Sequence, residues 1–333
     1  MNLALYEEGT ALRTIDYTVS LVTPMAVHGA DNRQMAEWRH SSFKGILRYW
    51  WRTLQFGKNK RGLILEEEEL FGGTNGSDGE SGKKSPITFM STQQYTSRQK
   101  AIILPHKGKG KVPAVEQGHT VTFTLALAKR VPIDTVMQYK KIVNYTLLLA
   151  SVGQRARRGF GAIQGQEHQF ATIDNFRQTL YAALDDLGAS YERQTSNTCL
   201  LRTAAGEDAL DKRHDTLRTG GQVQVRQPYR PTTAAKMSEH PTLAAVWLGS
   251  GEKDAYAVLK KIGDASHRAN GRGQSLGSAM GGRFASPLWC TVRKIGNLYY
   301  PVVNELHSQK VMSNWQRYQS DRDLFLRILG VDV

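Results

Sequence analysis

The sequence holds only two cysteines, Cys199 and Cys290, far apart and without cysteine or histidine neighbours at ligand spacing. That excludes a disulfide-stapled fold and a zinc ribbon, and it points to a reducing compartment. Long apolar runs are missing too. No stretch approaches the roughly 18 residues of a membrane span, and the opening MNLALYEEGTALRTIDYTV lacks the apolar core of a signal peptide. A soluble, cytoplasmic protein without membrane contact is expected. Acidic residues are few, 30 against 44 lysines and arginines, a formal net charge of +14. A chain that basic works beside a polyanion, either nucleic acid or an acidic membrane surface, and net charge does not separate the two. Catalytic groupings are also thin. The nine histidines are scattered without His-x-x-x-His spacing, and no Gly-x-Ser-x-Gly, Walker loop or dinucleotide fingerprint occurs, so no cofactor and no metal are expected.

What is present suits a globular protein. At 333 residues with 40% hydrophobic and 22% charged content, the chain is long enough for two domains, set at 1–165 and 166–333. Alternation marks strands at 14–23, 86–95 and 119–128, and Pro24 ends the first. A helix is read at 41–57 with Ser41 as N-cap and Gly57 as its stop. A second follows Asp134, and others fall at 174–187, 252–265 and the tail. Residues 71–86 read as a flexible excursion, 106–118 as a mobile basic loop, and Glu66 to Glu69 as a solvated acidic face. Near the end, 288–306 reads as a hairpin turning at Gly296-Asn297. Strand, helix, strands, helix defines an α+β fold, with antiparallel sheets carrying helices on one face.

Two constellations carry the functional reading. On the 41–57 helix, Phe43, Ile46, Leu47, Trp50 and Leu54 fall in one arc, beside a stripe of Lys44, Arg48 and Arg52. A solvated amphipathic helix explains the arc. It explains the stripe less well, since no acidic residue lies between 38 and 65. The other is SVGQRARRGFGAIQ, 151–164. A plain basic turn after a helix would explain its arginines. A phosphate cradle would also use Gly153, Gly159 and Gly161 for close backbone approach and open N–H groups. Arg155, Arg157 and Arg158 would supply charge, and Phe160 a face for an unpaired base. A second glycine- and arginine-rich loop, 267–287, adds Arg272 and Arg283. His28 and Asp31, in the loop after the first strand, are the candidates for acid–base work.

TPMAVHGADNRQMAEWRHSSFKGILRYWWRTL, with EEELFGG, QRARRGFGAIQ and GGRFASPLW, resembles the RAMP superfamily of CRISPR-associated proteins. The form is that of the first subunit of type III-B (Cmr) effector complexes. The resemblance implies two ferredoxin-like domains. It implies a non-catalytic subunit of an antiviral, RNA-guided ribonucleoprotein, contacting guide or target RNA near the guide's 3′ end beside other RAMP subunits. Its candidate RNA contacts are Lys44, Arg48, Arg52 and the 153–161 loop, with His28, Arg33 and Arg39 as further members. The alternative is a metal-independent RAMP endoribonuclease that processes guide precursor with His28 as general base.

Overall fold

The computed structural model describes residues 11–73, 82–189, 191–194, 198–202, 238–270, 275–278 and 284–333. The first half runs β1 (Leu12–Leu21), β2 (Ala36–Glu37), α1 (His40–Thr53), α2 (Lys60–Phe71), β3 (Ile87–Met90), β4 (Thr96–Ser97), β5 (Lys100–Leu104), β6 (Lys109–Pro113), β7 (Thr120–Ala128), α3 (Ile133–Leu149) and β8 (Ile163–Gly165). The second runs α4 (Ile173–Asp186), β9 (Tyr191–Arg193), β10 (Thr198–Arg202), β11 (Thr242–Leu248), α5 (Ala255–Ala269), β12 (Leu288–Ile295), β13 (Leu298–His307), α6 (Gln309–Met312) and α7 (Trp315–Ile328).

The first sheet has the order β3-β7-β1-β8, antiparallel throughout. With its strands numbered along the chain this is 4-1-3-2 read from β8, the ferredoxin-like order with α1 and α3 as crossovers. Its alternation is clean. Val121, Phe123 and Leu125 point into the core, while Thr122 and Thr124 face outward with Thr18 and Asp16.

The second sheet, β12-β13-β11-β10-β9, repeats the pattern with one change. The run β11, α5, β12, β13, α7 again gives strands 1, 3 and 2 as neighbours, but the place beside strand 1 is filled by β10 from earlier in the chain. This sheet is buried on both faces. Trp247, Cys290 and Val292 pack on Leu259, Ile262 and Phe325 of α5 and α7. Val246, Trp289 and Val302 pack on Trp50 of α1 and Tyr145 and Leu148 of α3. The opposite sides of α1 and α3, with Phe43, Leu47 and Ile142, serve the first sheet. Four layers result: sheet, helices, sheet, helices.

Four expectations change. The first helix ends at Thr53, because the next turn bonds to the second half: His240 Nε2 donates to the Gln55 carbonyl at 3.0 Å, and Gly57 N–H to Ser238 Oγ at 3.2 Å. Its N-cap is Arg39, without a side-chain cap bond, and not Ser41. Residues 106–118 are no loose loop, since most belong to the β5–β6 hairpin and its tight turn. Glu66 to Glu69 lie on α2, where Glu67 is buried.

Candidate nucleic-acid interface

The Thr23-Pro24 turn that ends β1 and the glycine loop form one object. Thr23 Oγ1 donates to the Gly159 carbonyl at 2.6 Å and accepts from Ala162 N–H at 2.9 Å. The Pro24 carbonyl accepts from Gly161 N–H at 2.8 Å, and the Ala26 carbonyl from Gln154 N–H at 2.8 Å. Gly153, Gly159 and Gly161 all have positive φ. A Cβ on Gly161 would stand 1.9 Å from the Val152 carbonyl oxygen, and one on Gly153 would stand 2.6 Å from that of Ala26. Thr23 builds the site, although it is not among the contacts expected from the sequence. Its signal was its place one residue before a strand-ending proline.

This loop faces two ways. Inward, it runs along the outer edge of β12, where Arg158 bridges Cys290 in parallel and Cys290 N–H donates to the Arg157 carbonyl at 3.1 Å. Gln164 continues the seam, its side chain donating to the Lys294 carbonyl at 3.1 Å and accepting from Lys294 N–H at 3.0 Å. A sheet edge that would otherwise be open is covered. Phe160 is buried in the α5–α7 core, so the stacking face expected of it is corrected. Gly159 and Gly161 are buried as well, and their amides are taken, so they present no open donors.

The arginines divide. The Arg157 guanidinium lies 4.5 Å from the Trp289 ring centroid and 5.1 Å from that of Tyr49. It donates to the Ser286 carbonyl at 2.9 Å and to the Tyr49 hydroxyl at 3.0 Å. Arg158 donates to Ser286 Oγ at 3.1 Å and to the Leu276 carbonyl at 3.3 Å. Burial pulls the Arg158 guanidinium below the usual arginine range, and Arg157 beside it adds to this. Both reach into the second half and not toward solvent. Arg155 differs: it has a φ of 56°, its Nε is buried without a hydrogen-bond partner, and it forms no ion pair among the described residues.

The α1 stripe is not the unneutralised row that was expected. Glu67 of α2, two residues beyond the acid-free window, takes Arg48 Nε at 2.6 Å and the Arg52 terminal nitrogen at 2.7 Å. Lys44 Nζ donates to Ser85 Oγ. Burial, with Arg48 nearby, lowers the Lys44 ammonium below its ordinary value.

Outward, the same loop forms a groove of about 300 Å³, lined by His28, Gly29, Asn32, Ser42, Gly153 and Gln154 among others. Ser42 lies in the first turn of α1, where there is neither an acidic residue nor a side-chain cap. A helix N-terminus left this way presents unpaired N–H groups and the positive end of its dipole. His28 Nε2 donates to the Pro113 carbonyl at 2.9 Å, which ties one wall to β6 and leaves Nδ1 as the ring's acceptor. Arg39 donates to the His28 carbonyl at 3.0 Å and remains exposed, as does Arg33. Asp31 caps its own turn, its carboxylate accepting from Gln34 N–H at 3.3 Å. The structure therefore brings together His28, Gly153 and the α1 N-terminus, and it adds Asn32, Ser42 and Gln154, polar groups with no motif to mark them. Arg272 and Arg283 lie outside the described residues. No helix among the described residues is long and apolar enough to cross a membrane.

An α+β chain with the 4-1-3-2 order, a Thr-Pro turn and a glycine loop interlocked with it defines a recognisable class. Residues 18–164 match the family model described as the RAMP superfamily. Within it the likeness narrows to Cmr proteins. A 61-residue stretch is 38% identical to the CRISPR system Cmr subunit Cmr1-2 of Pyrococcus furiosus, covering 17% of this chain and 32% of that protein. The match thus spans about a third of that relative's length. The chain also resembles the crystal structure of Cmr1 from Pyrococcus furiosus in its apo form, with TM-score 0.51 and 16% identity over 89% of this chain and 88% of that one. A chain in the cryo-EM structure of the Type III-B Cmr-beta bound to cognate target RNA gives TM-score 0.54 and 11% identity, over 96% of this chain and 100% of that one. At these identities the structural likenesses speak for the fold.

Proposed function

We propose that this chain is a non-catalytic RNA-binding subunit of a type III-B CRISPR ribonucleoprotein, built from two RAMP units at 1–165 and 166–333. Its groove holds the phosphate backbone of guide or target RNA, and its neighbours are other RAMP subunits of the complex. The observation that carries this reading is the uncapped, acid-free N-terminus of α1 at a groove whose opposite lip is the glycine loop. Unpaired helix N–H groups favour phosphate, and they read it without regard to base identity. The +14 net charge supplies the field that draws a polyanion in, and a Cmr-beta assembly containing a chain of this fold is bound to target RNA.

Ser42→Asp tests it, because the two consequences have opposite sign. An aspartate in the first turn stabilises α1 by about 0.3–1 kcal/mol through the dipole. The same charge repels phosphate in the groove, so RNA affinity drops about tenfold or more. A raised melting temperature with weakened RNA binding is the expected pair, and unchanged affinity would remove the groove from the site. Incubation of labelled precursor RNA with the protein in EDTA examines the non-catalytic part of the reading. Cleavage that disappears in His28→Ala would make His28 Nδ1 a general base and overturn it.

A further inference from the structure

From Gly82 to Val115 there is no aspartate or glutamate, and there are seven lysines and arginines. The β5–β6 hairpin sits inside that window. Its register sets Lys100 opposite Pro113, Ile102 opposite Lys111 and Leu104 opposite Lys109. Residues opposite one another in an antiparallel pair share a face, so Lys100, Lys109 and Lys111 stand on one side. The other side carries Ile103, which packs against the α5–α7 core. At the tip, His106 fits against α5 where only a glycine leaves room, since a Cβ at Gly263 would lie 2.6 Å from its Nδ1. The hairpin is thus pinned by its apolar face across both halves, and its lysine face points away from the body. All three lysines are exposed, and none forms an ion pair among the described residues.

The hairpin's root is tied to a wall of the groove. Pro113 holds His28, and Val115 pairs with Met25 at 2.9 Å in both directions. Arg155 lies close enough to the tip to depress the His106 imidazole, although burial and Lys107 act more strongly on it. Lysines on an exposed hairpin also discourage edge pairing. That role calls for charge but not for an anchored hairpin with three like charges on a single face, where each repels the others. A polyanion laid along the face relieves that repulsion.

We propose that Lys100, Lys109 and Lys111 form a second phosphate-contact surface, which takes the backbone of the single-stranded RNA as it leaves the groove. This inference rests on the RNA-binding reading above and extends it to an element that reading does not use. Anisotropy of a fluorescein-labelled single-stranded RNA of mixed sequence, over a potassium chloride series, tests it with the full-length chain. Each phosphate contact to single-stranded RNA contributes about 0.7 to the slope of log affinity against log salt. Lys100→Ala/Lys109→Ala/Lys111→Ala should therefore lower the magnitude of the slope by about 2, while Lys60→Ala/Arg61→Ala on α2 leaves it unchanged. In the wild-type protein, 4-thiouridine RNA should crosslink within residues 98–113. A wild-type protein without salt-dependent RNA binding would sink both readings. Salt-dependent wild-type binding with the triple-variant slope unaltered, or crosslinks confined to other segments, would overturn the hairpin surface alone and leave that face to a protein partner.

Discussion

Arg157 and Phe160 show how one crowded stretch can hold two different kinds of work. Both fall in a run that suggests a solvent-facing cradle, yet the guanidinium lies against the neighbouring rings of Tyr49 and Trp289 and the phenyl ring is buried. The glycines between them answer to geometry. Gly161 and Gly188 have nearly the same φ, 65° and 66°, but a Cβ on Gly161 meets the Val152 carbonyl, while one on Gly188 meets nothing within 4 Å. Gly188→Ala therefore incurs only the left-handed penalty of about 1–2 kcal/mol. Gly161→Ala adds a backbone clash and the loss of the seam that covers β12, so urea midpoints should fall distinctly further for it. Equal midpoints would mean that the loop relaxes freely. The composition of this loop was legible in the sequence, but the direction of each side chain was not. Sequence spacing does not reveal that the other half of the chain arrives with Trp289 and Ser286. Glu67 escaped notice for a similar reason, because an acidic run gives no sign of which member turns inward.

Elements were legible where one face meets water. Strands β1 and β7 alternate, and the sequence reading finds both within two residues of their ends. The β12–β13 hairpin turns at Gly296-Asn297 as read, with Ile295 opposite Leu298 and Gly296 at φ 56°. Strand β11 gives no such signal. TLAAVWL is buried along its whole length between two sets of helices, so it shows no period at all. Residues 106–118, which hold the turn and second strand of the β5–β6 hairpin, read as a mobile loop because Gly108, Gly110 and the lysines look like loop composition. Its two glycines in fact sit at φ 61° and 81° in and after a tight turn. What makes it a hairpin is Ile103 and His106 finding α5, a contact more than 150 residues away along the chain. The candidate site shares this property. His28 and Gly153 were named from the sequence, while Asn32, Ser42 and Gln154 join them only through the fold.

The two halves are joined by polar clasps as well as by apolar surface, and this makes the stability of the whole chain depend on pH. Arg293 of β12 is fully buried and caps the end of α3. It donates to the carbonyls of Leu148 at 2.7 Å, Leu147 at 3.0 Å and Ala150 at 3.1 Å. Burial pushes its guanidinium down to about 9, which leaves it charged at neutral pH and facing the negative end of the helix dipole. His168 lies beside this clasp, stacked on Phe170 at 6.0 Å, with its carbonyl held by Gln164. Burial first, and Arg293 second, push its imidazole down to about 4. The folded state therefore resists a proton that the unfolded state accepts near 6.5. Stability from this group is complete above 6.5 and is lost as pH falls toward 4, amounting to about 2 kcal/mol between pH 7 and pH 5. His40, His106 and His240 are also depressed, chiefly by burial, and act in the same direction. The urea midpoint should drop from pH 7 to pH 5 in the wild-type protein and drop much less in His168→Asn. If the two proteins lose stability in parallel, the proton goes elsewhere, and the clasp at the end of α3 is not what couples the fold to pH.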